Sequence, residues 1–499
     1  MGSQRILAID QGTTSTRAVM FDAGCRPLAT AQKPLPQIYP ANGWVEHDPE
    51  EIWRAVLEVA REVIAKTGGV EGIAAIGITN QRETTIVWDR ATGKPVMNAI
   101  VWQDRRGEAV CASLREAGHA DAIQQKTGLL IDSYFSATKL KWIFDHVPGV
   151  RDLAKAGKLA AGTIDTFLLW RLTGGNVHAT DATNASRTML FDIHKSAWGT
   201  DLLRLFDVPA NVLPDVRDTA GDFGVTDAAL FGAAIPITAL VGDQQGALVG
   251  QACFTPGMTK STYGTGCFVL ANTGDVALTS RNRLLTTVAY RLNGKTTFAL
   301  EGSIFNAGTV VQWLRDNAKM IAASSESEQH AAALDEAGGS NGVYFVPAFT
   351  GLGAPHWDAH ARGAILGLTR DSEAGHIVRA ALESVCYQTA DLLCAFREDG
   401  ITPSALRVDG GMTANAWLLQ FLADIAEIPV ERPANGETTV LGAAFLAALG
   451  CGIFQSLNDI KAAWQLSFRA VPRMPAERRK SIVAGWQDAV ARVTHHPAR

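Results

Sequence analysis

The sequence predicts an α/β fold in which two domains of similar size meet across a cleft. Three observations predict it. The chain has 499 residues, more than one ordinary core fills. Two strand–turn–strand units with Gly/Thr turns lie about half the chain apart, as a duplicated domain would place them. Apolar strand-like runs carry their polar residues just beyond the C-terminal end, where α/β sheets gather ligands.

Taken in order, Ile6 to Ile9 form a short apolar run, Asp10-Gln11-Gly12-Thr13-Thr14-Ser15 a polar turn, and Ala18 to Phe21 a second apolar run. Ile73 to Thr79 reads as a strand ending in Asn80-Gln81-Arg82-Glu83. Pro236 to Val241 reads as another, ending in a Gly242-Asp243-Gln244-Gln245-Gly246 turn. Thr259 to Tyr263, Gly264-Thr265-Gly266 and Cys267 to Ala271 repeat the opening hairpin. Ile377, Ala381, Leu382, Val385, Thr389, Leu392 and Phe396 form a helical stripe closed by Gly400. Leu406 to Asp409 is a strand, Gly410-Gly411 a turn, and Trp417, Leu418, Phe421, Leu422 and Ile425 the buried face of a following helix. With no low-complexity linker, the domains divide near residue 245, as 1–245 and 246–499.

Composition narrows the function classes. At 47% hydrophobic and 19% charged the chain is globular. A formal net charge of -5, from 45 basic and 50 acidic residues, argues against a nucleic-acid or anionic-membrane partner. The seven cysteines are scattered without metal-binding spacing and read as buried reduced thiols. The start, MGSQRILAID, lacks the apolar core of a signal peptide, and Ile6 stands where a myristoylation signal wants Ser or Thr. No run reaches the ~18 apolar residues of a membrane span. A soluble cytoplasmic protein is expected.

The turns suggest phosphate chemistry. In the first, Gly12 allows close backbone approach, and Thr13, Thr14 and Ser15 can donate hydroxyls to phosphate oxygens. Asp10 can hold a water-shelled Mg²⁺, and Arg17 can supply a fixed cation for a β- or γ-phosphate. Gly264-Thr265-Gly266 can present amides and a hydroxyl from the opposite domain, and Asp409-Gly410-Gly411 can lie flat against a nucleotide. Each alone is equally well an ordinary β-turn. Three in this order are harder to obtain by chance, and neither a P-loop nor a protein-kinase catalytic loop is present.

The order resembles that of the actin, hexokinase and heat-shock-protein ATPases, which implies two ribonuclease-H-like (actin-like ATPase) domains flanking a catalytic cleft, with ATP and Mg²⁺ bound between them. Within that superfamily, Tyr134-Phe135-Ser136-Ala137-Thr138-Lys139-Leu140-Lys141-Trp142-Ile143-Phe144-Asp145-His146 is similar to the signature of the FGGY carbohydrate kinases. Four further segments resemble the glycerol kinases of that family: Thr79 to Thr85, Val101 to Arg106, Gly242 to Leu248 and Phe345 to Trp357. The similarity runs from about Ile6 to about Gly450.

The resemblance implies that Arg82 and Glu83 grip a polyol, that Trp102 packs on its carbon backbone, and that Asp243 is the general base. Physical logic agrees: a neutral triol needs hydrogen-bonding groups, for which Arg82, Glu83, Asp243 and Gln244 serve, and an apolar wall, for which Trp102, Tyr134 and Phe268 serve. A carboxylate within reach of the attacking hydroxyl accepts its proton during in-line transfer, while Thr13, Thr265 and Mg²⁺ stabilise the transferring oxygens. The resemblance alone assigns Gly308 and Gln312 to the nucleotide pocket, Gly411 and Asn415 to the adenosine side, and a homodimer or homotetramer as the assembly. Trp142 and Trp313 are expected in the core. Family members inhibited by fructose 1,6-bisphosphate carry an Arg where this chain has Ala234, and no phosphorylatable His stands in that loop; weak or absent regulation by either route is expected. Another FGGY kinase acting on a pentulose, and a partner-driven ATPase, remain the alternatives.

Overall fold

The computed structural model describes residues 4–334, 338–358 and 360–494; the Met1-Gly2 start discussed above lies outside them. The elements that build the site begin with strands β1 (Arg5–Gln11), β2 (Ser15–Asp22) and β3 (Pro27–Pro34), helix α1 (Pro49–Lys66) and strand β4 (Ile73–Asn80). Helix α2 (Ser136–His146), strand β5 (Ile237–Gly242) and helix α3 (Asp243–Gly250) follow. The second half supplies β6 (Thr259–Tyr263), β7 (Cys267–Gly274), β8 (Leu285–Leu292), β9 (Lys295–Ile304), α4 (Gly308–Asp316) and α5 (Ala374–Glu398). Last come β10 (Leu406–Asp409), α6 (Ala416–Ala426), β11 (Val430–Pro433), α7 (Thr438–Gly450) and β12 (Leu466–Ala470).

The duplication is visible in the sheets. The first has the order β3-β2-β1-β4-β5, antiparallel through β1, β2 and β3 and parallel through β1, β4 and β5. The second contains the same pattern as β9-β7-β6-β10-β11, extended by β8 at one edge and β12 at the other. Both hairpin turns therefore stand at the same end of equivalent central strands. That places the two phosphate-turn candidates in corresponding positions of two related sheets.

Burial follows the sequence pattern. In α1, Asp48 caps the helix by accepting from the Glu50 N–H, and Ile52, Val56, Val59, Ala60 and Val63 bury the face against the first sheet. In α5, Ala381, Leu382, Val385, Thr389, Leu392 and Phe396 are buried, and Gly400 at φ +91° ends the segment. In α6, Leu418, Phe421, Leu422 and Ile425 are buried and Trp417 is half-buried. Trp313 packs on Phe345 and Trp142 edge-on to Trp44, both half-buried at the margin of the core rather than within it.

One segment departs from expectation. Gly242 to Gly246, read as a turn, is instead the end of β5 and the first turn of α3, so Asp243 is a helix residue. The cause lies across the halves. Helix α7 packs on β1, β4 and β5 of the first sheet, and α3 packs on α7. A Cβ on Gly442 would fall 1.8 Å from the Gly246 carbonyl oxygen, and one on Gly250 2.0 Å from that of Thr438. Only glycine permits so close a crossing, and the packing it allows winds residues 243–250 into a helix. No helix among the described residues is long and apolar enough to cross a membrane.

Candidate functional site

A buried charged cluster forms where β4 runs out. Its last residues lead into Arg82 and Glu83, which are 2% and 1% exposed despite their charge. Glu83 has φ +61°, uncommon for a residue with a side chain, and its carbonyl is held by the Ser136 hydroxyl (3.0 Å) and the Thr85 hydroxyl (2.9 Å). Ser136 opens α2, the helix of the FGGY-like string. In the same string Lys139 is buried, and its ammonium donates to the carbonyls of Ser133, Tyr134 and Phe135 at 2.8, 2.5 and 3.2 Å. The Ser and Lys of the string thus fix the turns that present Glu83 and Tyr134.

Arg82 is the hub. Its Nε reaches Asp243 at 3.1 Å, Nη1 donates to Glu301 (2.5 Å) and Gln245 (3.2 Å), and Nη2 donates to Glu301 and to the Tyr134 hydroxyl, both at 3.3 Å or less. Arg187 completes the network, donating to Glu83 at 2.7 Å and to Glu301 at 2.8 Å. Burial pushes the Glu301 carboxyl up, but the guanidiniums of Arg187 and Arg82 more than offset it and hold it at about 2. At Glu83 burial prevails and raises the carboxyl. Of the aromatic residues, Trp102 stands edge-on to Tyr134 at 5.5 Å, and Phe268 lies beneath the Arg82 guanidinium at 5.9 Å.

Asp243 sits at the start of α3, its Oδ1 accepting from the Gln244 N–H (2.7 Å) and forming an ion pair with Arg82. Burial raises its carboxyl above the ordinary value, with Arg82 opposing, so it is a better proton acceptor than an exposed aspartate. Beyond it, Gly242 N–H donates to the Thr183 hydroxyl, which donates in turn to Asp181. Gln244 does not turn toward Arg82. It is buried, and its side-chain oxygen accepts from Lys260 on β6 at 2.5 Å.

The candidate phosphate turns are built from backbone. Gly12 N–H donates to the Ser15 carbonyl across the first turn, leaving Thr13 half-buried and Thr14 exposed. Thr13 ties this turn to the acceptor wall, because its hydroxyl accepts from the Trp102 indole at 2.8 Å. Ser15 accepts from Gln32. Arg17 is engaged by Gln32 and Glu437. Gly264-Thr265-Gly266 is pinned from α4: Ala307 N–H donates to the Thr265 carbonyl and Gly308 N–H to that of Gly264, both at 3.0 Å. A Cβ on Gly308 would fall 2.5 Å from the Gly264 carbonyl oxygen, so only glycine lets the helix meet the turn. Gln312 is exposed on α4 and Thr265 on the turn. Gly410, at φ +93°, lies against the Tyr263 carbonyl, bringing the third turn beside the second hairpin and leaving Gly411 exposed. Asn415 caps α6, its side chain accepting from the Leu418 N–H.

Asp10 is the penultimate residue of β1, paired with Arg17 across the first hairpin. Burial raises its carboxyl to about 7, Arg17 opposing and the Asp243 charge adding to the rise. Among the described residues no group of three or more His, Cys, Asp or Glu side chains converges as a metal cage. The Asp10 and Asp243 carboxylates lie close enough to repel one another, and a divalent ion shared with phosphate oxygens and water would relieve that repulsion.

Three site residues escape sequence reasoning: Arg187, Glu301 and Lys260. Glu301 and Lys260 are charges inside otherwise strand-like runs, and a buried charge demands a partner. That demand is legible, but the partner, lying in the other half, is not.

Residues 5–250 match the N-terminal domain, and residues 259–451 the C-terminal domain, of the FGGY family of carbohydrate kinases. The chain is 60% identical over 489 residues to a glycerol kinase of Rhodospirillum centenum, covering 98% of this chain and 97% of the relative. It is 59% identical over 492 residues to glycerol kinase 1 of Pseudomonas aeruginosa, covering 98% and 99%. Among solved structures it is similar to Plasmodium falciparum glycerol kinase with ADP, at 38% identity and a TM-score of 0.93 over 99% of each chain.

Proposed function

The chain belongs to the FGGY family of carbohydrate kinases, and we propose that within it the protein transfers the γ-phosphoryl group of ATP to a terminal hydroxyl of glycerol, giving sn-glycerol 3-phosphate. The observation that carries the choice of acceptor is the near-full-length likeness to glycerol kinases at 59–60% identity.

The geometry supports the chemistry. Arg82 and Glu83 hydrogen-bond the polyol, with Gln244 at the site's edge, while Trp102, Tyr134 and Phe268 cover its CH faces and exclude water. Asp243 accepts the hydroxyl proton as the acceptor oxygen bonds to phosphorus and the bond to the β–γ bridging oxygen breaks, releasing ADP. Thr13, Thr14, Ser15 and Thr265 donate to the phosphate oxygens, and Arg17 exchanges Glu437 for a phosphate. Gly308, Gln312, Gly411 and Asn415 border the nucleoside. Asp10, with Asp243 nearby, would hold Mg²⁺ through water, and the bound ion neutralises phosphate charge. The acceptor-binding domain thus takes in the whole of α3, through Gly250, and the nucleotide-binding domain the chain after it.

The same reading places the enzyme in the cytoplasm, in keeping with its free cysteines, as a homodimer or homotetramer. It also makes the enzyme insensitive to fructose 1,6-bisphosphate, since the exposed loop at Ala234 offers no guanidinium. The test is ADP release from Mg·ATP with glycerol, with no acceptor, and with a panel of sugars and polyols. Glycerol-dependent ADP with matching glycerol 3-phosphate is expected. Turnover only with a pentulose or a longer polyol would replace the acceptor, and release indifferent to every acceptor would replace the reaction.

A further inference from the structure

We propose that Glu301, reaching from the second half of the chain into the acceptor site of the first, is the residue that positions Arg82 and makes that site select neutral over anionic acceptors. Glu301 lies within β9, directly between Leu270 of β7 and Leu285 of β8, and is fully buried. Its side chain leaves the second sheet to meet two guanidiniums of the first half. Both Arg82 Nη atoms donate to it, one to each carboxylate oxygen, at 2.5 and 3.2 Å, and Arg187 adds a third bond at 2.8 Å. Such a fork is planar and fixes the guanidinium in direction as well as place. Glu83, by contrast, bonds Arg187 at 2.7 Å and comes only within 3.9 Å of Arg82.

The charges in this network cancel. Arg82, Arg187 and Lys260 stand against Glu83, Glu301 and Asp243, and all but Asp243 are 2% exposed or less. A buried site balanced in this way can hydrogen-bond a polyol without attracting a net charge. Without Glu301 the three cations would face only Glu83 and Asp243, and the excess positive charge would draw an anion of the acceptor's size.

The inference rests on the polyol-kinase reading, and the experiment separates the two. Wild type, Glu301→Gln and Glu301→Asp are compared for KM of glycerol, KM of ATP and inhibition by D-glycerate, a three-carbon anion of similar shape. For E301Q the KM for glycerol should rise about tenfold or more with the KM for ATP within about twofold, and glycerate should inhibit about tenfold more strongly than in wild type. E301D keeps the charge but shortens the reach, so its KM for glycerol should rise without any gain in glycerate inhibition. A merely structural role would lower the active fraction and leave both KM values and the glycerate response unmoved; that result overturns the proposal. If E301Q does not fold, E301D decides through its KM for glycerol, an unchanged value being the refutation. If wild type does not phosphorylate glycerol, the functional reading fails, and the variants are compared on whichever polyol it does accept.

Discussion

The two proposed ends of the site, acceptor and nucleotide, are made in different ways. At the acceptor end, Arg82, Glu83, Arg187 and Glu301 are buried side chains locked to one another across the two halves. At the nucleotide end, Gly12, Gly266, Gly308 and Gly410 shape turns whose backbone does the holding, and Thr14, Thr265, Gln312 and Gly411 remain exposed. A small neutral ligand offers little binding surface, so its site has to be rigid and dry before it arrives. A triphosphate brings its own charge and length, and amides in open turns suffice to meet it. Substitutions at the two ends should therefore fail differently.

The largest effect is expected where the ends meet. Asp243→Asn removes the proton acceptor while keeping the shape, and kcat should fall on the order of 10²-fold or more with the melting temperature little changed. Rapid-quench measurement of phosphoryl transfer checks it, and a variant of near-normal rate would remove Asp243 from the chemistry.

Gly308→Ala tests the backbone end. Its Cβ would lie 2.5 Å from the Gly264 carbonyl oxygen, and overpacking of this kind costs about 1–3 kcal/mol. The displaced turn should raise the KM for ATP by about tenfold while leaving that for glycerol within about twofold. Equal damage to both would dissolve the distinction between the ends.

Asp165→Asn probes the polar layer behind the acceptor site. Asp165 is fully buried, accepts from the Thr163 and Thr180 hydroxyls, and burial raises its carboxyl to about 7. The folded state therefore binds its proton more tightly than the unfolded chain. That contribution to stability is complete below about pH 4 and is lost as pH rises through 7. The Asn variant carries no such loss, so its melting temperature should gain on wild type between pH 5 and 8, by roughly 2–4 °C. A constant difference across that range would mean that Asp165 is ionised throughout.

The smallest effect should come from Trp102→Phe, which keeps the aromatic wall and deletes the indole bond to Thr13. A neutral hydrogen bond contributes about 0.5–1.5 kcal/mol, so the KM for ATP should rise roughly two- to tenfold. Such a rise from a wall residue of the acceptor site would show that the two ends communicate through this bond. An unchanged value would leave them independent.

Much of this was legible beforehand. Both hairpins, the strands ending at Thr79 and Val241, the α5 stripe and the α6 face all follow from apolar periodicity and Gly/Thr turns, which are local signals. Arg82, Glu83, Trp102, Tyr134 and Asp243 stand in the segments that mark the family, and the structure sets Glu83, Tyr134 and Asp243 about the Arg82 guanidinium, with Trp102 against Tyr134. Gln244 was legible as a polar residue near the site, but not its turn toward Lys260, because that partner lies on a strand of the other sheet.

What the sequence determined by itself was the α/β class, the duplication and the residue types at each turn, since strand alternation, helical stripes and glycine positions depend on neighbours along the chain. Only the tertiary structure decided that residues 243–250 are helical, that α7 crosses to the first sheet, and that Glu301 and Arg187 belong to the acceptor site. Each of these depends on contacts between segments tens to hundreds of residues apart, where burial forces a charge to find its partner and close packing leaves room only for glycine.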